Sequence, residues 1–550
     1  MAVYTAANGV SKQIFEWTGF FLGPALCIGC LLGLPRTYLH VASETNRQSL
    51  PAVGQQRSAE HGTGISPHGD VAHEGPALER RDFSWEGRAT LAVMVWMAVW
   101  WLSEAVPITV TALLPLAVFP LLGATTMEDA AAPYAHHLIF LYFGGFILAF
   151  AMEKCGLGTR IALNCLLITG TTASRMVAGF MLSTALLSAF VSNTATTAMM
   201  LPIAMSTIGL LRQGRTSDAS TAVDRFGACL LLAIAYSASI GGVATIIGTP
   251  PNAFLVGFLA DSISPMYRME ISFVGWLPIG LSMVALFLPL VYWLLTRCLF
   301  PITDLVLDGG QELVHRQLQR LGRVSRAERM TAVVFLSTVA CWLFRPLLTS
   351  LVLPWGDGEL RPLGGLTDTG IVMVATIMLF ILPLDWKRRQ FLMDWQTASK
   401  TPWDILLLFG GGLSLAYAIR ANGVAEYLAS YTTMVGDTSD LLVIVAVSAA
   451  IVFLTELTSN VATTTSLVPV LAALAPGLGI HPVRLVVPAA IAASCAFMLP
   501  VATPPNAIVF GSGYIRLPQM VRAGIGLNLL SIVLIPLVTE TVAWWCLSGQ

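Results

Sequence analysis

The sequence predicts an all-α polytopic membrane protein, and three observations predict it. Of 550 residues, 55% are hydrophobic and only 11% charged, against about 25% charged in an ordinary soluble chain. The apolar residues fall in long continuous runs, as spanning helices of about 20 residues require, and not in the weak alternating segments of a β-barrel. Short polar motifs recur in the same order in the two halves of the chain, each embedded in apolar sequence. The length has room for roughly ten to twelve spans. A mean hydropathy of +0.74 excludes a disordered chain, a fibrous repeat, a disulfide mini-protein and a soluble enzyme. The net charge of −1 gives no bulk attraction to nucleic acid.

The N-terminal unit, residues 1–36, holds the first apolar run at about 16–36. Only Lys12 precedes that run and no small-residue cleavage site follows it, so it reads as a retained helix and not as a signal peptide. Cys27 and Cys30 lie inside it, where a thiol behaves as a small hydrophobe. The nine Cys are scattered and imply no disulfide framework. Residues 37–90 are the longest polar stretch and carry four of the eight His (His40, His61, His68, His73). They read as a solvated loop inserted between helices, with a metal site as the alternative.

From residue 88 apolar runs alternate with short breaks. A first unit, 88–297, holds runs near 88–103, 108–123, 136–155, 160–168, 177–211, 227–260 and 271–297. Residues 298–330 are the main polar interruption, with Arg316, Arg320, Arg323, Arg326 and Arg329 and few acids. The positive-inside rule makes this loop cytoplasmic. It reads as an amphipathic helix at the membrane surface and not as an RNA site. A second unit, 331–550, holds runs near 331–353, 368–384, 403–420, 440–455, 462–475, 484–500 and 523–546, and Lys387, Arg388 and Arg389 mark another cytoplasmic edge. Several runs are too short or too broken to be simple spans. Irregular backbone at membrane depth is tolerated only inside protein or beside a wet cavity.

The two units share landmarks. Ser192-Asn193-Thr194-Ala195-Thr196-Thr197 matches Ser459-Asn460-Val461-Ala462-Thr463-Thr464 at an offset of 267, with hydroxyl residues Ser188 and Thr455 four positions ahead. Phe143-Gly144-Gly145 matches Phe409-Gly410-Gly411 at 266, and Thr249-Pro250-Pro251-Asn252-Ala253 matches Thr503-Pro504-Pro505-Asn506-Ala507 at 254. Paired interruptions in two halves point to the binding site of a secondary transporter.

The chemistry of the motifs agrees. Hydroxyl, amide and carbonyl oxygens hold hard cations. Hydroxyl and amide hydrogens donate to carboxylates, and the start of a half-helix attracts anions. The paired prolines unwind a helix and free carbonyls, and the small Gly248 and Ala502 let backbone approach a ligand. Helix packing by small and hydroxyl residues is the alternative for one such motif, but two pairs in register favour a site. No Arg lies inside the motifs, so bound cations and helix dipoles would neutralise an anion. Fixed charge is sparse there; Glu104, Glu153, Lys154, Arg420, Glu456 and Glu540 lie in or beside the apolar runs. Glu456, three residues before Ser459, is a candidate to tune a cation site, orient the hairpin or pair with a base. Glu153-Lys154 marks a helix end, and His136-His137 reads as interfacial. No enzyme signature is present, so the chain is not read as an enzyme.

At these residues the sequence resembles the divalent anion/sodium symporter family, which carries dicarboxylates, citrate or sulfate. The resemblance covers nearly the whole chain from about residue 88 onward. It implies about eleven transmembrane helices plus two re-entrant hairpins in inverted repeats, a homodimer, and an elevator-type division into scaffold and transport domains. Carried over by motif, it implies one sodium site from Ser188, Ser192, Asn193 and the backbone of Gly248. A second would use Thr455, Asn460 and the backbones of Thr458 and Ala502. The substrate carboxylates would lie between Asn193, Thr194, Ser459 and Asn460, beside Val461, with Thr249, Thr503 and Pro504 nearby. The hairpin tips would be near 192–194 and 459–461. Val461 departs from the first copy: it keeps the shape of Thr194 and lacks its hydroxyl. The functional expectation is sodium-coupled import of C4-dicarboxylates such as succinate, malate and fumarate. A sodium-independent exchanger and a sulfate or citrate carrier are the alternatives. The absence of any Asn-x-Ser/Thr acceptor points to a bacterial inner membrane.

Overall fold

The computed structural model describes residues 2–41, 78–170, 172–212, 217–302, 310–355, 358–432 and 439–547. Helix α1 (Ala2–Gly33) starts ahead of the predicted apolar run. Gly23 lets it approach α2 (Trp85–Ser103), because a Cβ there would stand 2.7 Å from Trp96. Between them, β1 (Thr37–Val41) pairs antiparallel with β2 (Leu78–Asp82), Thr37 opposite Asp82. The predicted loop is thus stitched together at its two ends, by strands whose Thr, Tyr and Val favour a pleated surface. Of its four His, His61, His68 and His73 lie outside the described residues, with any metal site they would form.

The first half continues through α3 (Leu114–Leu122), α4 (His137–Cys155), α5 (Leu157–Thr169), α6 (Ala173–Ser188), α7 (Asn193–Arg212), α8 (Ser217–Gly242), α9 (Pro250–Gly257) and α10 (Phe273–Trp293). The Arg-rich segment forms the surface helix α11 (Gly310–Leu321) and the start of α12 (Arg326–Thr349). The start of α12 is fixed by a capping box, with Ser325 accepting from the Glu328 amide and Glu328 accepting in return. Helix α13 (Asp368–Ile381) is flanked by two short ladders, β3 (Leu353–Trp355) with β4 (Gly358–Leu360), and β5 (Pro383–Asp385) with β6 (Gln390–Phe391).

The second half repeats the order: α14 (Trp403–Ala421), α15 (Val424–Thr432), α16 (Asp440–Leu454), α17 (Asn460–Leu474), α18 (Val483–Ala493), α19 (Pro504–Gly511) and α20 (Leu517–Val538). Helices α14 to α20 stand to the second motifs as α4 to α10 stand to the first. The predicted run 484–500 is not one helix. It ends at Ala493, and the chain stays irregular until Pro504.

Eight described helices are long and apolar enough to cross a bilayer, and six shorter apolar helices of 10–17 residues accompany them. The shorter set includes α6 and α16. At about 1.5 Å per residue, 15 residues reach roughly 22 Å, less than the roughly 30 Å hydrocarbon core. Such an arm suits a segment that enters and turns back. The protein core centres on α8, where Leu230, Leu232, Ile234 and Tyr236 are fully buried. By contrast α12 turns Val333, Leu336, Phe344 and Leu347 outward.

Candidate functional site

Each hairpin turns where a helix stops ahead of a Ser-Asn pair. Helix α6 ends at Ser188 and α7 begins at Asn193, while α16 ends at Leu454 and α17 begins at Asn460. The turns therefore occupy 189–192 and 455–459, slightly ahead of the predicted tips.

The same bonds form on both sides. The Ser188 hydroxyl donates to Asn193 Oδ1 at 2.6 Å and lies 2.7 Å from the Ala238 carbonyl. The Thr455 hydroxyl donates to Asn460 Oδ1 at 2.8 Å and lies 3.0 Å from the Ala493 carbonyl. One turn on, Thr197 and Thr464 each donate to the carbonyl of the motif Asn at 2.8 Å. With Oδ1 engaged this way, each Asn keeps its amide N–H groups for another partner.

The proline breaks are also duplicated. Asn252 Nδ2 donates to the carbonyls of Val243 and Thr245 at 3.2 and 2.9 Å, and Asn506 Nδ2 to those of Ala496 and Leu499 at 3.2 and 3.1 Å. These side chains satisfy carbonyls of the non-helical stretch ahead of each Pro-Pro pair. The Oδ1 atoms of Asn252 and Asn506 are buried without a hydrogen-bond partner, as are the hydroxyls of Ser239 and Ser494. Neither Ser was singled out from sequence. Their offset of 255, close to that of the proline motifs, is the signal that would have found them.

Glycine makes room at the first site. A Cβ on Gly242 would sit 2.6 Å from Asn193 Oδ1 and 3.1 Å from the Gly248 carbonyl, and one on Gly248 would sit 3.0 Å from the Ala189 carbonyl. Neutral oxygens thus converge on a space too tight for a methyl group. An all-oxygen set without carboxylate, Cys or His suits a hard cation of low charge. Gly242 is a further residue that sequence reasoning missed.

Both hairpins and both breaks line one cavity of about 410 Å³. Ser192, Asn193 and Thr194 meet Ser459, Asn460 and Val461 there, with Gly248, Thr249, Ala502, Thr503 and Pro504. Every residue predicted to touch the substrate is present. Ser188, Thr455 and Thr458 lie behind this lining and are buried. Thr458 bonds to the Thr463 hydroxyl at 2.6 Å. Four helices start at the cavity, at Asn193, Pro250, Asn460 and Pro504. The starts at Asn193 and Asn460 offer backbone N–H groups, and all four helices bring the positive ends of their dipoles to it. Among the described residues no Lys or Arg lines it, whereas Glu104 and Asp404 do. Asp404, missed from sequence, stands in the first turn of α14, beside the Pro402 at which an apolar run begins.

The other singled-out groups resolve differently. Glu456 is buried and accepts from the amides of Phe497, Met498 and Leu499 at 2.6, 2.9 and 3.0 Å, and from Asn528 Nδ2 at 2.8 Å. It holds the unwound backbone of the second break. The Phe143 and Phe409 copies diverge: Gly145 lines the cavity, while Gly411 packs against Ala112. Lys154 pairs with Asp394 at 2.5 Å, and its ammonium group holds that carboxyl at a pKa of about 2. Glu540 and Asp440 both bind Arg484. His136 pairs with Asp261 at 2.7 Å, and Arg420 donates to the Asp261 carbonyl.

Comparison with known proteins places the chain. The family described as sodium:sulfate symporter transmembrane region matches residues 83–549. A sodium-dependent dicarboxylate transporter, SdcS, of Staphylococcus saprophyticus is 40% identical over 457 residues, 82% of this chain and 85% of that one. An SdcS protein of Staphylococcus aureus is 39% identical over 467 residues, 84% of this chain and 87% of its own. Among solved structures, the YdaH transporter of Alcanivorax borkumensis aligns with a TM-score of 0.52 at 15% identity, covering 82% of this chain and 98% of that one. MtrF of Neisseria gonorrhoeae aligns with a TM-score of 0.50 at 13% identity, covering 76% and 83%. The last two likenesses concern the fold alone.

Proposed function

The chain belongs to the sodium:sulfate symporter family, and from that premise we propose that it is a sodium-coupled secondary transporter importing C4-dicarboxylates such as succinate, malate and fumarate. The single observation that carries this reading is the cavity between the paired motifs. Four helix starts and a set of neutral hydroxyl and amide groups surround it, and among the described residues no basic side chain does.

A dianion with charge at both ends matches two facing hairpins. One carboxylate takes donors from Asn193 and Thr194, the other from Ser459 and Asn460, with Thr249, Thr503 and Pro504 closing the sides and Val461 giving an apolar wall. One sodium site uses Ser188, Ser192, Asn193 and the Gly248 carbonyl. The other uses Thr455, Asn460 and the backbones of Thr458 and Ala502. Coupling follows from the shared amides. An Asn whose oxygen faces a cation turns its N–H groups toward the substrate, so each cation orients a donor and offsets the dianion's charge. The reading extends to an inverted-repeat arrangement of the two halves, an elevator motion of the hairpins against a scaffold, and a homodimer.

Radiolabelled succinate uptake into proteoliposomes, with and without an inward sodium gradient, tests it. Uptake that needs sodium and is competed by malate or fumarate is expected. Uptake only into succinate-preloaded vesicles, indifferent to sodium, would make it an exchanger. Sodium-driven uptake of sulfate or citrate but not succinate would overturn the substrate class.

A further inference from the structure

A second cavity, of about 640 Å³, lies away from the paired motifs, between α12 and α13. The two helices run antiparallel, with the C-terminal end of α13 beside the N-terminal end of α12, where Arg326 donates to the Leu384 carbonyl at 3.4 Å. The groove is apolar along its length, from Met330 and Val334 on one wall to Val374 and Met378 on the other. Its Thr338 hydroxyl is satisfied by the Val334 carbonyl at 2.8 Å. From Met330 to Cys341 the wall rises roughly 17 Å at 1.5 Å per residue, close to the roughly 15 Å depth of one leaflet.

Charge is confined to one end. Arg326 and Arg329 line the mouth, and both are exposed. Among the described residues neither has a carboxylate partner. The nearest acid in the helix, Glu328, is buried and held by Arg160 at 2.7 Å. Asp394 is held by Lys154, and Asp385 lies 3.7 Å from Arg388. The hairpin of β5 and β6 beside this mouth adds Lys387 and Arg389, with Trp386 75% exposed. Exposed Trp beside basic residues marks the water–membrane boundary. At the far end, Arg345 is neutralised by Asp368 at 3.2 Å.

We propose that this groove seats an acyl chain of an anionic phospholipid, in the leaflet facing the Arg-rich loop, with the headgroup phosphate on Arg326 and Arg329. An apolar slot one leaflet deep takes the chain. Two guanidinium groups without acidic partners take the phosphate, for which their planar forks are suited. This site is separate from the substrate cavity and stands whether or not the transport reading holds.

Native mass spectrometry of the purified full chain tests it, titrated with phosphatidylglycerol and phosphatidylcholine of the same acyl composition. The wild type is expected to prefer phosphatidylglycerol by roughly tenfold or more, the scale of two basic residues at an anionic surface. The double variant Arg326→Gln/Arg329→Gln, altered only at the surface, is expected to bind the two lipids equally. Val374→Trp fills the slot and is expected to lower binding of both. Equal retention of the lipids by the wild type, or an unchanged preference in the double variant, would overturn the proposal. So would a Val374→Trp protein that keeps its lipids and loses its dimer, because the face would then be an interface between copies of the chain.

Discussion

The two halves build the same hairpin and the same break, yet they hold the break in different ways. In the first half a neutral chain does it: the Gly248 amide donates to the Thr245 hydroxyl at 3.1 Å, and that hydroxyl donates to the Ala189 carbonyl. In the second half one carboxylate, Glu456, gathers three consecutive amides. The capping bonds are exchanged as well. Ser192 accepts from the Ala195 amide while Thr249 makes no capping bond, whereas Ser459 makes none and Thr503 accepts from the Asn506 amide. The lesson is that duplication preserves the groups facing the cavity more strictly than the means of holding them. A carboxyl group behind only one break also makes the surroundings of the two proposed cation sites unequal.

The largest effect should be common to the halves. Asn193→Ala and Asn460→Ala each remove a group assigned to both a cation and a carboxylate. A hydrogen bond to a charged group contributes about 1.5–3 kcal/mol, so sodium-driven uptake should fall on the order of 10- to 100-fold in each. Normal uptake by either variant, with intact assembly on gel filtration, would break the equivalence of the halves.

The next effect should separate them. Glu456→Gln puts an amide nitrogen against backbone donors in a buried place and should cost about 2–3 kcal/mol of stability. Thr245→Val should cost about 1 kcal/mol. Thermal unfolding in detergent compares the two, and an equal loss would mean that the charge behind the second break is dispensable.

A smaller contrast lies in the substrate wall. Thr194 is exposed to the cavity and Val461 is largely buried. Thr194→Val should raise the KM for succinate by about three- to tenfold, the scale of one neutral hydrogen bond. Val461→Thr should lower it by less. A larger effect from Val461→Thr would place the substrate nearer the second hairpin.

The smallest effect should come from an ion pair joining the halves. Asp394 has its pKa lowered by Lys154, so the pair's contribution is present above the ordinary carboxylate range and is lost as pH falls toward about 2. Between pH 5 and 8 the Asp394 carboxylate stays charged. Lys154→Met should therefore leave the shape of the uptake–pH profile unchanged and shift stability by under about 1 kcal/mol, as for exposed pairs. A changed profile would show that this link takes part in the transport cycle.

Much of the site was legible before folding, for a reason that particular residues make plain. Ser188, Asn193, Thr455 and Asn460 are polar groups in apolar sequence, where an unpaired polar atom is costly. Their repetition at one offset separates function from accident. Gly242, Ser239 and Ser494 were not legible, because small residues in membrane helices carry no such contrast. Asp404 carries no such contrast either, because an acid in the first turn of a helix is locally favourable. The pairing of β1 with β2 was hidden inside polar sequence without periodic signal.

Apolar runs, proline breaks and two matching sets of motifs follow from local chemistry, so the sequence by itself determined the helical membrane class, the duplicated order of elements and the paired motifs that line the cavity. Only the tertiary structure decided that motifs 267 positions apart line a single cavity. It also decided that Glu456 turns to the backbone of the second break, and that Arg326 and Arg329 face an apolar slot. Helix periodicity and residue type act over a few residues, whereas the partner of a buried carboxylate or a free amide is chosen by packing between segments far apart in the chain.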